Sequence, residues 1–403
     1  MFCPTRRVRV SLTAAAVAAL VTACGVAGTA VPGEIDVRTL DVGSYATVKH
    51  AYAQPAGDNG ALVEGMRMSR AVMPAMKIDP SLSVGEGGRV VAGDTEATAR
   101  LLAEVSKPIL DQENMITGYT VTGADRADLP GTDIPSPDAT SVTDFVMRFP
   151  DDDSATRAAR ELDDVDFAVD PTENVKLALD QYPTAFIHWR PGVPTIGTFL
   201  AHRQFVISLF VERPQPNSQD LLDWVRKTLD AQVPALDAFQ ATQTGKLSNL
   251  PIDPDGLLAR AVVRVGAPTT PDRDVFAAYG PTDFIENAED AAGRQRLVDE
   301  TGLDSIAVAD SSTVLRVRDA AAGDRLITGL IAGSSNTYDP ISAPVRVPGA
   351  RCLQLNSKGD ATRQSQFRCF VTHGRYVEVV VSDDQSDVNR RAAAAYALLA
   401  NSM

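Results

Sequence analysis

Four histidines and four cysteines are all that the 403 residues hold, and aromatic residues make up only 6% of the chain. Each scarcity closes a route. No Cys-x-x-Cys or His-Glu-x-x-His spacing occurs, so no thiol-redox or zinc-peptidase signature is present. The Gly-x-Ser-x-Gly turn of α/β hydrolases is missing, and no serine stands three residues before any of the seven lysines, as penicillin-binding enzymes require. Few aromatics argue against an extended sugar-stacking platform. The 52 carboxylates are too scattered for one pair to stand out as a glycosidase dyad. Triads assemble in space rather than along the chain, so these absences lower the case for catalysis without closing it. No cofactor or metal is implied. Basic residues are short as well: 38 Lys and Arg against 52 Asp and Glu leave a net charge of −14. Such a chain is repelled by phosphate backbones, and nucleic acid is not an expected partner.

What is present begins with Arg6, Arg7 and Arg9, followed by apolar or small residues over 10–21. That run has the length of a signal-peptide core and is too short to cross a bilayer. Val21-Thr22-Ala23-Cys24 then reads as a lipobox. The expectation is a signal peptide over 1–23, lipidation of Cys24, and a Gly/Ala/Val/Pro/Thr-rich tether over 24–44 holding the protein to the outer side of the cell membrane. An ordinary secretory leader with an incidental Cys24 is the bland alternative. Twin-arginine export is a weaker one, because Arg9 sits where that signal prefers an apolar residue. Loss of the leader takes the charge from −14 to −17 and removes Cys3. With Cys24 lipidated, Cys352 and Cys369 remain and are expected to pair outside the cytoplasm. Both lie in strand-like runs joined by the turn residues Ser357-Lys358-Gly359-Asp360. Closing that loop stabilises a fold by about 3 kcal/mol on the chain-entropy account.

Size predicts two domains, placed at 45–240 and 257–403 with a polar linker over 241–256. Apolar spacing predicts helices over 62–73, 94–106, 154–162 and 219–230, the last ending before Pro234. Strands are expected over 115–122, 142–149, 184–190, 195–201 and 204–211. Gly85-Glu86-Gly87-Gly88 reads as a turn rather than a phosphate cradle, and Asp151-Asp152-Asp153 as a helix start rather than a calcium loop. The second half replays the first: 145–151 matches 313–319 at an offset of 168, and 201–206 matches 372–377 at 171. A helix over 283–301, a strand over 305–309 and a closing helix over 388–400 complete the copy. The fold class expected is α+β: two similar domains, each a mainly antiparallel four-stranded sheet with helices packed on one face. Long loops over 123–141 and 334–349 are places where binding could be hosted.

His188-Trp189-Arg190 is the one cluster that suggests a ligand contact, since an aromatic and a guanidinium can hold sugars or carboxylates. In an alternating strand, however, His188 and Arg190 share one face and Trp189 takes the other, so a core Trp with solvated neighbours is the structural reading. His202 and His373 fall at matched repeat positions, which favours a packing role.

The lipobox, Glu64-x-x-Arg67-Met68 leading to Ile78-Asp79-Pro80, Arg368-Cys369-Phe370-Val371, Gly374-Arg375-Tyr376-Val377 and the Ala-rich terminal helix with Tyr396 and Leu398-Leu399 together resemble the uncharacterised envelope lipoproteins of mycobacterial and rhodococcal type. The resemblance implies an anchored protein of two similar domains and transfers no catalytic residue. Besides a structural spacer without ligand, marked by a solid interface with no cleft, two functions remain open. One is a non-catalytic module binding an envelope lipid, glycan or protein in a cleft between the domains. The other is a cell-wall-acting enzyme, marked by an interdomain pocket with converging carboxylates of shifted acidity.

Overall fold

The computed structural model describes residues 35–402 except 130, 131 and 133. Cys3, Cys24, the leader and the first part of the expected tether lie outside the described residues.

In the first half the elements run α1 (Gly60–Met68), α2 (Ala75–Ile78), β1 (Val84–Val91), α3 (Asp94–Arg100), α4 (Lys107–Gln112), β2 (Thr117–Ala124), β3 (Ser141–Arg148), α5 (Asp152–Phe167), β4 (Val175–Leu177), β5 (Phe186–Trp189), β6 (Thr195–His202), β7 (Phe205–Glu212) and α6 (Ser218–Ala238). The second half runs β8 (Phe276–Tyr279), α7 (Pro281–Glu286), α8 (Ala291–Thr301), β9 (Ser305–Ala309), β10 (Ser312–Arg316), α9 (Ala320–Gly333), β11 (Tyr338–Ile341), β12 (Arg351–Leu355), β13 (Phe367–His373), β14 (Tyr376–Ser382) and α10 (Gln385–Ala400).

Each half builds one antiparallel sheet. Their orders are β1-β2-β3-β7-β6-β5-β4 and β8-β9-β10-β14-β13-β12-β11, the same path walked twice. The duplication holds residue by residue. Phe145 lies opposite Ser208, and 168 and 171 positions later Thr313 lies opposite Val379. Ala201 faces Val206 as Thr372 faces Val377.

Two features of the expected architecture are corrected. Each sheet has seven strands, not four, because the full-length glycine-rich β1 and the short β4 extend the first sheet, and the short β8 and β11 the second. Helices also cover both faces, since the central strands are apolar on both. In the first sheet Val142, Val146, Ile207 and Leu209 pack toward α6, while Phe145, Met147 and Val206 pack toward α5. In the second, Leu315, Phe370 and Val377 lie toward α9, and Ala307, Ala309 and Val314 fall in a separate cluster.

Local chemistry sets the ends of the helices. Asp151, Asn217, Asp319 and Asp384 each accept a backbone N–H in the first turn of α5, α6, α9 and α10, satisfying donors that a helix start leaves open. Gly302 closes α8 in the left-handed region. The helix expected over 94–106 breaks after Arg100, and Pro108 sits in the first turn of α4, where a missing N–H costs nothing. The one expected over 283–301 is two helices, divided where Asp290 caps α8 at Gly293 N (2.7 Å). Helix α6 continues through Pro234. Beyond Leu229 its buried face carries on with Gln232, which accepts from Met73 N (2.9 Å) and donates to Ala71 O (2.8 Å).

The glycine-rich stretch expected as a turn is strand β1. A Cβ on Gly85 would stand 2.5 Å from Glu286 O, so glycine is what lets this edge strand touch the second half. Gly88 N in turn donates to Asn287 Oδ1 (3.2 Å). The contact between the halves is filled: Ala277 and Tyr279 of β8 belong to the first half's core cluster, and Met76 packs on the second's. The end of the expected tether is docked as well. Leu40 is buried and Asp41 pairs with Arg390 of α10 (3.4 Å). Leu250 and Ile252 of the expected linker are buried too.

Candidate functional site

His188 and Arg190 are committed elsewhere. The buried His188 ring contacts Asp163 Oδ1 through Nδ1 (2.7 Å) and Asp166 through Nε2 (3.4 Å), and Lys176 pairs with the same Asp163. Although burial alone would lower its pKa, the two carboxylates outweigh that and push His188 up to about 9, holding it as a cation. Arg190 lies past the end of β5 and pairs with Asp170 (2.8 Å). Trp189 donates to Val193 O (2.8 Å) and packs against the core.

Carboxyls of shifted acidity do stand between the halves. Burial pushes Asp283 up to about 7 and Glu286 up to about 8. They are occupied structurally: Tyr119 Oη donates to Asp283 (3.1 Å) and Ala75 N to Glu286 Oε1 (2.9 Å). The Glu64-x-x-Arg67 motif is structural too. Glu64, fully buried, pairs with Arg67 and with the fully buried Arg148, and accepts from Thr242 N and Oγ1 (2.9 Å each). It ties α1, β3 and the segment leaving α6 into one knot.

The space is inside the second half. A cavity of about 280 Å³ lies between the sheet and α9, with Val308, Thr313, Leu315, Phe370, Val379 and Val381 as its floor and Phe284 and Leu330 beside them. Sheet register sets Phe370, Val379, Thr313 and Val308 side by side across four strands, with Arg368 and Val381 in the next row. Near its N-terminus α9 presses on the sheet: a Cβ on Gly323 would stand 2.6 Å from Thr372 Oγ1. Its C-terminal Leu330, and Ser334 just beyond, reach the cavity rim instead. Outside lies a polar basin of about 980 Å³ that shares Arg294, Leu330, Ser334 and Arg368 with the cavity and is bordered by Ser83 and Val84 of the first half. The loop expected over 334–349 thus does meet a concave site, through Ser334 to Thr337.

Two cations stand at the junction of cavity and basin. Arg294 lies over the Phe284 ring (4.3 Å) and Arg368 over the Tyr338 ring (4.7 Å). Among the described residues neither makes an ion pair or a side-chain hydrogen bond, and Arg368 Nε is buried without an acceptor. Burial and then the neighbouring Arg368 push Arg294 down to about 10, while Asp290 raises it. The Asp290 carboxylate caps α8. Asp310, at the far side, is consumed by Arg264 (2.7 Å) and Arg391 (3.4 Å).

The first half supplies an internal comparison. Where the cavity has Thr313, the first half has Phe145, fully buried and packed with α5. Where Arg368 projects, it has Gly197, with the His188 ring 3.5 Å from where a Cβ would stand. The same site is therefore plugged in one copy, its cation neutralised by Asp163 and Asp166, and open in the other, with cations unneutralised. Sequence reading missed Arg294 and Arg368; the signal was the repeat alignment itself, which pairs a large apolar residue with a threonine.

Comparison with known proteins gives the family and no more. Residues 51–252 match the N-terminal, and 257–402 the C-terminal, part of the domain of unknown function DUF7373. The chain belongs to that family. No curated protein matches it.

Proposed function

We propose that this DUF7373 chain is a lipid-anchored protein of the cell envelope that binds a ligand without transforming it, and that the cavity of its second half is the binding site. The observation that carries the reading is the pair of guanidinium groups at the cavity mouth with no carboxylate in ion-pair contact, Asp290 acting on Arg294 only at longer range. Both are partly buried, cations withdrawn from water are ordinarily paired, and this chain carries 52 acidic residues from which a partner could have been drawn. Val21-Thr22-Ala23-Cys24 and the resemblance to actinobacterial envelope lipoproteins support the anchored location. A cell-wall-acting enzyme has less support: Asp310, the acid lining the cavity, is held ionised by Arg264 and Arg391, and the carboxyls of raised pKa sit in packed interfaces.

The test is native mass spectrometry of the protein extracted from envelope. The expected result is an added mass on the wild type that is missing from Thr313→Phe. A bare wild-type mass overturns the binding reading. In parallel, Cys24→Ala should move the protein from the membrane fraction to the medium, and retention on the membrane removes the anchor.

A further inference from the structure

Resting on that reading, we infer the ligand's class: an amphiphile with a single anionic head, carboxylate or phosphate, and one apolar tail of about a dozen carbons or fewer. The head is fixed by what Arg294 and Arg368 lack. Two guanidinium groups close enough to repel each other gain most from an anion placed between them, and their forked donors match carboxylate and phosphate oxygens. The rings of Phe284 and Tyr338 hold each cation in place from one side, which leaves the donor edges free.

The tail is fixed by the floor. Beyond the cations the wall is mostly apolar, with Val308, Leu315, Phe370, Val379 and Val381; Thr313, Ser311, Ser312 and the Asp310 already paired to Arg264 and Arg391 interrupt it. A cavity of roughly 150 Å³ accepts a benzene ring, so about 280 Å³ takes about twice that, a chain of roughly a dozen carbons. The basin outside mixes Asn287, Asp290, Arg296 and Glu300 with Val84, Leu297 and Tyr338, so a tail gains more from the mainly apolar cavity floor. Head at the junction and tail inward is the one orientation that meets both surfaces. The plugged first half supports the same assignment, since Phe145 occupies the volume that the tail would use.

The experiment is calorimetric titration of the mature chain carrying Cys24→Ala, which avoids detergent. The probes are decanoate, decyl phosphate, decanol, decyltrimethylammonium and inorganic phosphate. Decanoate and decyl phosphate should bind, and Arg294→Gln or Arg368→Gln should each weaken them roughly tenfold or more while leaving decanol unchanged. Thr313→Phe, which restores the first half's side chain, should abolish binding of every tailed probe; Thr313→Leu should weaken it, and serves if the larger residue perturbs folding. Decanol or the ammonium binding as tightly as decanoate overturns the anionic head but leaves the cavity a ligand site. Inorganic phosphate matching decyl phosphate overturns the tail. No binding by any probe overturns the inference. The envelope-purified mass separately decides whether the binding reading falls with it.

Discussion

Asp144 offers the sharpest test of how this fold handles its charges. It lies on β3 between Val121 and Leu209, fully buried, with both carboxylate oxygens lacking a hydrogen-bond partner. Burial alone pushes it from 3.8 up to about 8, so at neutral pH it stays protonated in the fold. The native state therefore keeps a proton that the unfolded chain has released. Between about pH 4 and pH 8 folding takes up that proton, so stability falls as pH rises through this window; below it both states are protonated and the effect vanishes. At about 1.4 kcal/mol per unit, the loss across the window reaches on the order of 5 kcal/mol as an upper bound. Asp144→Asn keeps the shape and removes the titration. Urea unfolding followed by fluorescence, with Trp224 buried in the same core cluster, should give nearly matched stabilities at pH 4 and an Asn variant several kcal/mol more stable at pH 8. Asp283, Glu286 and Glu378 are raised with the same sign, but they cancel in the difference between the two chains. Parallel stability curves for wild type and Asp144→Asn would refute the reasoning, because they would mean that Asp144 is ionised in the fold.

Three further outcomes follow from buried charge and covalent linkage. Glu64→Gln leaves the fully buried Arg148 without its counter-ion, and urea midpoints should fall by an amount equivalent to about 3–5 kcal/mol. The double variant Cys352→Ala, Cys369→Ala removes a cross-strand link between directly opposed residues and should destabilise by about 3 kcal/mol; an unchanged midpoint would show that the pair is reduced in the working protein. His188, raised to about 9, stabilises fully below its unfolded value of 6.5 and loses that contribution as pH rises through 9. His188→Leu should therefore erase a stability loss between pH 7 and 9, and a nuclear magnetic resonance titration of the ring should find no midpoint below 8.

The central strands were legible because their physics is local. Runs rich in β-branched and aromatic residues along 142–149 and 204–211 mark β3 and β7 within a residue or two, and an offset of 168 or 171 carries directly into sheet register. The outer strands were not. Val175–Leu177 is three residues long, and Tyr338–Ile341 contains Pro340, which speaks against a strand except at an edge. Strand β1 hid behind Gly85, Gly87 and Gly88, whose sequence signature is that of a turn; its glycines serve a close approach to Glu286 and Ala288 from 200 residues further on, which no local window contains. Helices on both faces were missed for a related reason. Met147 and Val146 are both apolar, and only the covering helices tell an edge-exposed sheet from a sandwiched one.

The candidate site was hidden more deeply, since it arises from a difference between two copies rather than from a motif. Phe145 and Thr313 were aligned by the repeat, yet a threonine in a strand is unremarked on its own. Its meaning comes from three facts found only in space. The α9 turn above it does not descend far enough to fill the gap, the residue corresponding to Gly197 is Arg368, and Arg294 arrives from α8 to face it. In the first copy the matching region closes on His188 with Asp163 and Asp166 as counter-ions, whereas Leu353 takes the position of His188 in the second. Duplication thus frees one copy to serve as scaffold while the other trades bulk for space and loses its counter-charges. A protein selected for stability alone would have retained the plug. Partial burial of two guanidinium groups without ion-pair partners, beside an unfilled apolar volume, is unfavourable in the free protein on both counts, and a bound anion with an apolar tail relieves both at once.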